Sequence, residues 1–117
     1  MYFEGRELNS YAQPVLPNEL HEGEVYFALN YVDSQMLVPM VDTLVFIGRN
    51  LEAKDIAEVY FQDIVSYQEG VPYEWEANDE TGTFFCASED QINHIFTYEQ
   101  LLNELMKCAA RRVSTKP

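Results

Sequence analysis

The chain has 117 residues, of which 47% are hydrophobic and 14% are aromatic, so it can bury the core of one domain spanning residues 1–117. Seven Lys and Arg against twenty Asp and Glu give a net charge of −13. That balance argues against nucleic acids and anionic membranes as partners, because both require a basic surface. The composition predicts an acidic, soluble domain.

Residues 1–23 lack a regular hydrophobic period and contain Pro14 and Pro17, which predicts an extended N-terminal arm along the domain. The first ten residues include Glu4, Arg6 and Glu7 and contain no apolar stretch, so we expect no signal peptide. Cys86 and Cys108 are far apart and lack paired spacing, which indicates reduced thiols rather than a disulfide. These observations predict a cytoplasmic protein.

Residues 24–96 are predicted to be mainly β-structure. From Glu24 to Val32 aromatic and β-branched residues fill both faces of an alternating pattern, and Met36 to Gly48 is again extended and apolar. Pro39 has no N–H to donate, so the first part of the second run should be an edge or a bulge. The two runs predict a long antiparallel hairpin.

Shorter elements follow the hairpin. Asn50 is a candidate cap for a helical turn over residues 51–57, and Asp63 and Gly70 are candidate ends of another. Three further runs have the composition or alternation of strands: Val59–Phe61, Val71–Ala77 and Thr83–Ala87.

A C-terminal helix is predicted over residues 97–112. Thr97 and Gln100 have the spacing of a capping box, and apolar residues then repeat at helical spacing: Leu101, Leu102, Leu105, Met106 and Ala109. About five strands and one helix predict an α+β fold. The architecture is either a small twisted antiparallel β-sheet or a partly open SH3-like barrel, packed by the C-terminal α-helix.

No motif in the chain predicts catalysis, a metal site or a cofactor. The glycines are scattered singly, no nucleophile elbow is present, and two histidines and two cysteines lack metal-ligand spacing. Cys86 and His94 form a catalytic pair only if the fold brings them together. Asp33, Asp42 and Asp63 adjoin apolar strands, which leaves a small carboxylate-dependent hydrolase open as an alternative.

Charge is segregated along the chain. Between Asp55 and Glu104 there are twelve acidic residues and no Lys or Arg, whereas residues 107–117 hold four of the seven basic residues. This pattern predicts a non-catalytic protein-interaction module that binds a basic protein partner, as an inhibitor or immunity-like protein does. A second alternative is an accessory or structural subunit of a larger complex, and the oligomeric state stays open. Aromatic anchors bordered by carboxylates mark the predicted partner site: Tyr73, Glu74, Trp75, Glu76, Asp79 and Glu80.

Overall fold

A computed structural model describes residues 2–3, 6–8, 11–73 and 83–115, and within them the predicted long hairpin is present. The strands are β1 (Tyr2–Phe3), β2 (Arg6–Glu7), β3 (Val25–Tyr31), β4 (Pro39–Arg49), β5 (Glu58–Asp63), β6 (Phe84–Ser88) and β7 (Ile95–Phe96). The helices are α1 (Ile64–Gln68) and α2 (Tyr98–Thr115), and short 3-10 turns cover Pro17–Glu19 and Glu89–Gln91.

Five strands form one sheet in the order β6-β5-β4-β3-β7, and every neighbouring pair is antiparallel. The two strands at the ends of this order are not hydrogen-bonded to each other, so the sheet is open and does not close into a barrel. β1 and β2 form a separate two-stranded ladder. The predicted α+β class is confirmed, in its open-sheet form.

Both faces of the sheet are covered, which explains why β3 is apolar on both of its faces. The arm-covered face packs under Val15 and Leu20 from the N-terminal segment, and the Val15 amide donates to the Ile95 carbonyl at 2.9 Å. The helix-covered face packs against α2 through Phe27 and Leu101. The buried residues of the arm-covered face are Val15, Leu20, Tyr26, Ala28, Leu44, Phe46, Val59, Phe61, Ile92 and Ile95.

The long strand β4 has the edge that Pro39 predicts. Residues 39–43 pair with β3 only. Leu44 and Val45 pair with both β3 and β5, and the strand then pairs with β5 at Phe46, Gly48 and Arg49. Pro39 is the first residue of the strand, where its missing N–H costs no ladder bond. A register shift between Phe46 and Gly48 marks a bulge deeper in the strand.

The C-terminal helix begins at its predicted cap. The Thr97 amide donates to the Gln100 side chain at 3.0 Å, and the Gln100 amide donates to the Thr97 hydroxyl at 3.3 Å. These two bonds satisfy amides that a helix N-terminus leaves without partners. Leu101 is buried as predicted, but Leu102 is 51% exposed. The apolar face is therefore narrower than the sequence spacing indicates.

Three local predictions need correction. Residues 51–57 form turns and bends rather than a helix, because the Asp55 carboxylate accepts from the Glu52 amide, a local bond that competes with helix formation. Residues 71–73 are not a strand, and the rest of that prediction, residues 74–77, lies outside the described residues. Residues 95–96 were not predicted as a strand but form β7, which is only two residues long.

Candidate functional site

The predicted partner site is described at one residue, Tyr73, and residues 74–80 lie outside the described part of the chain. The Tyr73 phenol donates to Oε1 of Glu52 at 2.8 Å. Its ring meets the rings of Tyr60 and Phe84 edge-on, with centroids 5.5 and 5.3 Å away. Tyr73 is therefore fixed in an aromatic cluster, beside a carboxylate that lines a cavity.

That cavity, which we call the acidic pocket, has a volume of about 380 Å³. It combines three carboxylates with one lysine, one phenol, one thiol and one aliphatic side chain. Its lining residues are Glu52, Lys54, Asp55, Ile56, Glu58, Tyr60 and Cys86.

Backbone hydrogen bonds fix the loop that carries most of the acidic pocket. Asn50, with a positive φ of 51°, ends β4 and closes the base of the loop. Its amide donates to the Glu58 carbonyl at 2.9 Å, and its side-chain oxygen accepts from the Glu58 amide at 2.9 Å. Within the loop, the Asp55 amide donates to the Glu52 carbonyl at 3.1 Å. The three carboxylates are therefore held on a short, closed turn.

Neutral donors surround these carboxylates. The Tyr60 phenol donates to Oδ2 of Asp55 in a short hydrogen bond. The Cys86 thiol and the Ser88 hydroxyl donate to the two oxygens of Glu58, each at 3.2 Å. The donors add no positive charge, so the three carboxylates keep the pocket negative and Lys54 is the one cation that lines it.

The ionisation of the donors follows from burial. Burial raises the pKa of the Cys86 thiol to about 11, and the Glu58 carboxylate beside it adds to the rise. Burial likewise raises the pKa of the Tyr60 and Tyr73 phenols, and their carboxylate partners reinforce it. All three groups stay protonated at neutral pH, and a protonated thiol is a poor nucleophile.

Ile56 is the unusual residue of this region. Its side chain is 90% exposed, although it is large, branched and apolar. It lies between Asp55 and Glu58 on the rim of the acidic pocket. An apolar side chain held in water beside carboxylates is an arrangement that a partner surface can cover.

The three carboxylates that the sequence offered for hydrolysis lie in different places. Asp33 caps the β3–β4 turn by accepting from the amides of Leu37 and Val38. These bonds lower the pKa of the Asp33 carboxyl, although desolvation opposes them. Asp63 caps α1 by accepting from the Ser66 amide at 3.2 Å, and Asp42 lies on β4. Asp42 lines a cavity that neither Asp33 nor Asp63 lines.

Asp42 lines a second cavity of about 280 Å³, the apolar groove, on the arm-covered face. Its floor belongs to the hydrophobic core, and polar groups lie along it. The lining residues are Ala28, Asn30, Asp42, Leu44, Phe61, Phe85, Cys86, Ala87, Ile92, His94 and Ile95. The groove brings Cys86 and His94 to one cavity, but the Cys86 thiol donates to Glu58 rather than to His94.

Binding a metal ion and spanning a membrane each require a feature that the described residues lack. Nowhere in them do three His, Cys, Asp or Glu side chains converge as a metal site would require. No helix among them combines the length and apolarity needed to cross a bilayer. Comparison with protein-family models, with curated proteins and with solved structures gave no match.

The acidic pocket itself was not predicted from the sequence. The charge pattern indicated acidity from Asp55 onwards, but it did not single out Glu52 or Ile56. The signal is an isoleucine in the short loop that follows Asn50, the residue directly after β4. The register of β5 and β6 pairs Tyr60 with Cys86 and Glu58 with Ser88, which brings Cys86 into the pocket and the Ser88 hydroxyl to Glu58.

Proposed function

We propose that this protein is a non-catalytic interaction module that binds a basic protein partner at the acidic pocket, with Ile56 as an apolar anchor. One observation carries the proposal: the 90% exposed Ile56 side chain beside the carboxylates of Glu52, Asp55 and Glu58. Interface energy concentrates in apolar anchors, whereas the surrounding charges guide the encounter. An inhibitor or immunity-like protein works in this way against a basic target.

The charge of the wider surface supports a basic partner. From Asp55 to Glu104 the chain has twelve acidic residues and no Lys or Arg. Lys54 lines the acidic pocket, whereas Arg49 lies 4.0 Å from Glu89 and donates to backbone carbonyls of the arm. An uncompensated negative field attracts a positive partner over about a Debye length, roughly 10 Å at 0.1 M salt.

The site predicted from the sequence extends this proposal. Tyr73, the first residue of that predicted site, donates to Glu52 of the acidic pocket. We include Glu74, Trp75, Glu76, Asp79 and Glu80 in the proposed partner surface on the strength of the sequence alone. They add one large aromatic side chain and four carboxylates.

The carboxylate hydrolase receives no comparable support. Its candidates Asp33 and Asp63 accept hydrogen bonds that cap local structure, and Asp42 lines the apolar groove without either of them. Cys86 and Cys108 are both free thiols, as suits the cytoplasm, where we propose that the module works.

The experiment is affinity capture with matched variants. The tagged protein is exposed to a lysate of its native host at about 0.05 M and 0.5 M salt. We expect a basic protein to bind at low salt and to be released at high salt. Ile56→Ser should weaken that binding about tenfold or more, and Glu58→Gln should slow association.

Leu16→Ser and Glu69→Gln are the controls, because Leu16 is 57% exposed and Glu69 is also exposed, and neither lines the acidic pocket. Circular dichroism checks that each variant is folded. Capture of no protein at either salt concentration contradicts the proposal. So does a partner whose binding is insensitive to both Ile56→Ser and Glu58→Gln.

A further inference from the structure

Among the described residues, β6 is an edge strand that contains no charged residue, proline or bulge. Within residues 2–3, 6–8, 11–73 and 83–115 it has a hydrogen-bonded neighbour, β5, on one side only. Natural sheets guard such edges with charged residues, proline or a bulge. The sequence of β6, Phe84-Phe85-Cys86-Ala87-Ser88, has no charge and no proline, and its register with β5 is continuous.

The two cavities already described lie on opposite faces of this one strand. Phe85 and Ala87 pair with Phe61 and Val59, so they lie on the arm-covered face, where the apolar groove is. Cys86 and Ser88 pair with Tyr60 and Glu58, on the opposite face, where the acidic pocket is. Phe85 is 42% exposed at the groove.

We propose that β6 accepts an extended segment of the basic partner as a further strand of the sheet, and that the segment alternates apolar residues with Lys or Arg. The proposal rests on the proposed function and specifies how the partner is recognised. Main-chain hydrogen bonds to β6 supply the pairing, and alternate side chains enter the two cavities. Because successive side chains of a strand point to opposite faces, one set meets Phe85 and the other meets the acidic pocket.

The distance from the added strand to the Glu58 carboxylate determines which partner side chains can reach it. Glu58 lies on β5, one strand beyond β6, and strands are about 4.8 Å apart. A side chain on the added strand opposite Cys86 or Ser88 must therefore cross β6 to meet the Glu58 carboxylate. Lys and Arg are long enough for this, and their donors complement the acceptors of Glu58. Short polar residues do not span that distance.

The apolar residues of the partner segment would lie on the arm-covered face of the sheet, beside Phe85 and the apolar groove. A residue opposite Phe85 lies within about 5 Å of it, close enough for side-chain contact. The groove beyond it has core residues such as Phe61 and Ile92 on its floor. Valine, isoleucine or an aromatic residue at these positions removes both Phe85 and the incoming side chain from water.

Charge disfavours one other occupant of the edge, the chain's own segment 74–82. That segment has four carboxylates, on Glu74, Glu76, Asp79 and Glu80, and no Lys or Arg. Placing them beside Glu58 would bring like charges together, whereas a basic segment brings opposite charges together. A second copy of the chain would offer the β6 edge itself, which has no Lys or Arg to pair with the Glu58 carboxylate.

The test uses blocked synthetic peptides of about ten residues, long enough to cover β6. The first alternates valine and arginine. The second has the same composition with all valines before all arginines, and the third alternates valine and glutamate. The fourth repeats the first with N-methyl groups on alternate residues, which removes the donors of one edge. Affinity is measured by fluorescence anisotropy, and amide hydrogen exchange locates the binding.

We expect the alternating valine–arginine peptide to bind at least about tenfold more tightly than each of the others, and to protect β6 amides that exchange rapidly in the free protein. Phe85→Lys should weaken its binding about tenfold, because it places a charge at the apolar groove. Leu102→Lys is the matched control, since Leu102 is 51% exposed on α2. Circular dichroism confirms that both variants are folded.

Several results overturn the proposal. Equal binding of the block-ordered or N-methylated peptide would show that charge alone is recognised. Protection of every β6 amide in the free monomer would show that the chain covers its own edge. Protection that appears only on dimerisation would assign the edge to a second copy. If the captured partner depends on Ile56 but not on Phe85, the proposed function stands and strand addition fails.

Discussion

Replacing Lys107 with methionine should destabilise the protein far more than an ordinary helix substitution. Lys107 and Glu104 are 3% and 7% exposed, and Nζ of Lys107 lies 2.6 Å from Oε2 of Glu104. The same nitrogen donates to the Tyr11 carbonyl at 2.9 Å. Lys107→Met keeps the aliphatic stem but leaves a buried carboxylate without its cation and a carbonyl without its donor. Breaking one side of a buried ion pair costs about 3–5 kcal/mol.

The measurement is urea unfolding at pH 7, followed by circular dichroism. With an m value of about 1–3 kcal/mol/M, the midpoint should fall by roughly 1–5 M. Lys107→Met/Glu104→Leu removes both charges and should recover most of the loss, because two apolar side chains of suitable size replace a buried pair at little cost. Lys54→Met is the control, since Lys54 is exposed and its replacement should stay within about 0.5 kcal/mol.

The reasoning is refuted if Lys107→Met costs less than about 1 kcal/mol, which would mean that water reaches Glu104 and Lys107. It is also refuted if the double variant is as unstable as Lys107→Met alone. In that case the loss would come from packing or from the Tyr11 contact rather than from the unpaired Glu104 charge. The double-mutant cycle separates these causes.

Three further predictions concern stability. Leu101→Ala should lower the free energy of unfolding, measured in urea, by about 2–5 kcal/mol, because Leu101 of α2 is buried against β3. A loss under about 0.5 kcal/mol would mean that this helix face is not packed. The melting temperature should rise with NaCl between about 0.01 and 0.1 M, because screening relieves repulsion within a net charge of −13, and a fall would contradict this. The free energy of unfolding should decrease as pH rises above about 8.5, because the unfolded chain then releases the Cys86, Tyr60 and Tyr73 protons before the folded chain does. Urea midpoints that stay constant between about pH 7 and 10 would refute the raised pKa values.

Elements defined by local chemistry were predicted well from the sequence. Thr97 and Gln100 fix the start of α2 through bonds that span only three residues, and Asp63 does the same for α1. β3 and β4 are long enough for their alternation to be read directly. Pro39 lies at the beginning of β4, as its missing donor requires.

Elements that depend on distant partners were not predicted. β7 has two residues, Ile95 and Phe96, and becomes a strand because it pairs with Phe27 and Ala28 far away in the chain. The loop of residues 51–57 is amphipathic enough to suggest a helix, but the Asp55 carboxylate binds its own backbone instead. The hydrophobic pattern of neighbouring residues predicts neither the pairing of β7 nor the conformation of this loop.

The same distinction holds for the candidate site. The acidic charge of the region is visible in the composition, whereas the acidic pocket needs the β5–β6 register to bring Cys86 and Ser88 to Glu58. Ile56 is exposed on a loop of turns and bends, whereas the amphipathic sequence of that loop indicates a helix. Tyr73 was singled out as an anchor from its acidic neighbours, and the structure fixes it by an aromatic cluster and by Glu52.

The contact between the N-terminal arm and β7 can form only after β7 has been synthesised. Val15 is translated before the whole five-stranded sheet, yet the carbonyl that receives its amide belongs to Ile95 in β7, the last strand of that sheet along the chain. Contacts between such distant residues slow folding, because a long loop must close before they form. A ribosome that has not yet passed β7 therefore holds a chain whose Phe46 and Phe61 lack part of their cover. Such nascent chains are the form of this protein that we expect chaperones to bind.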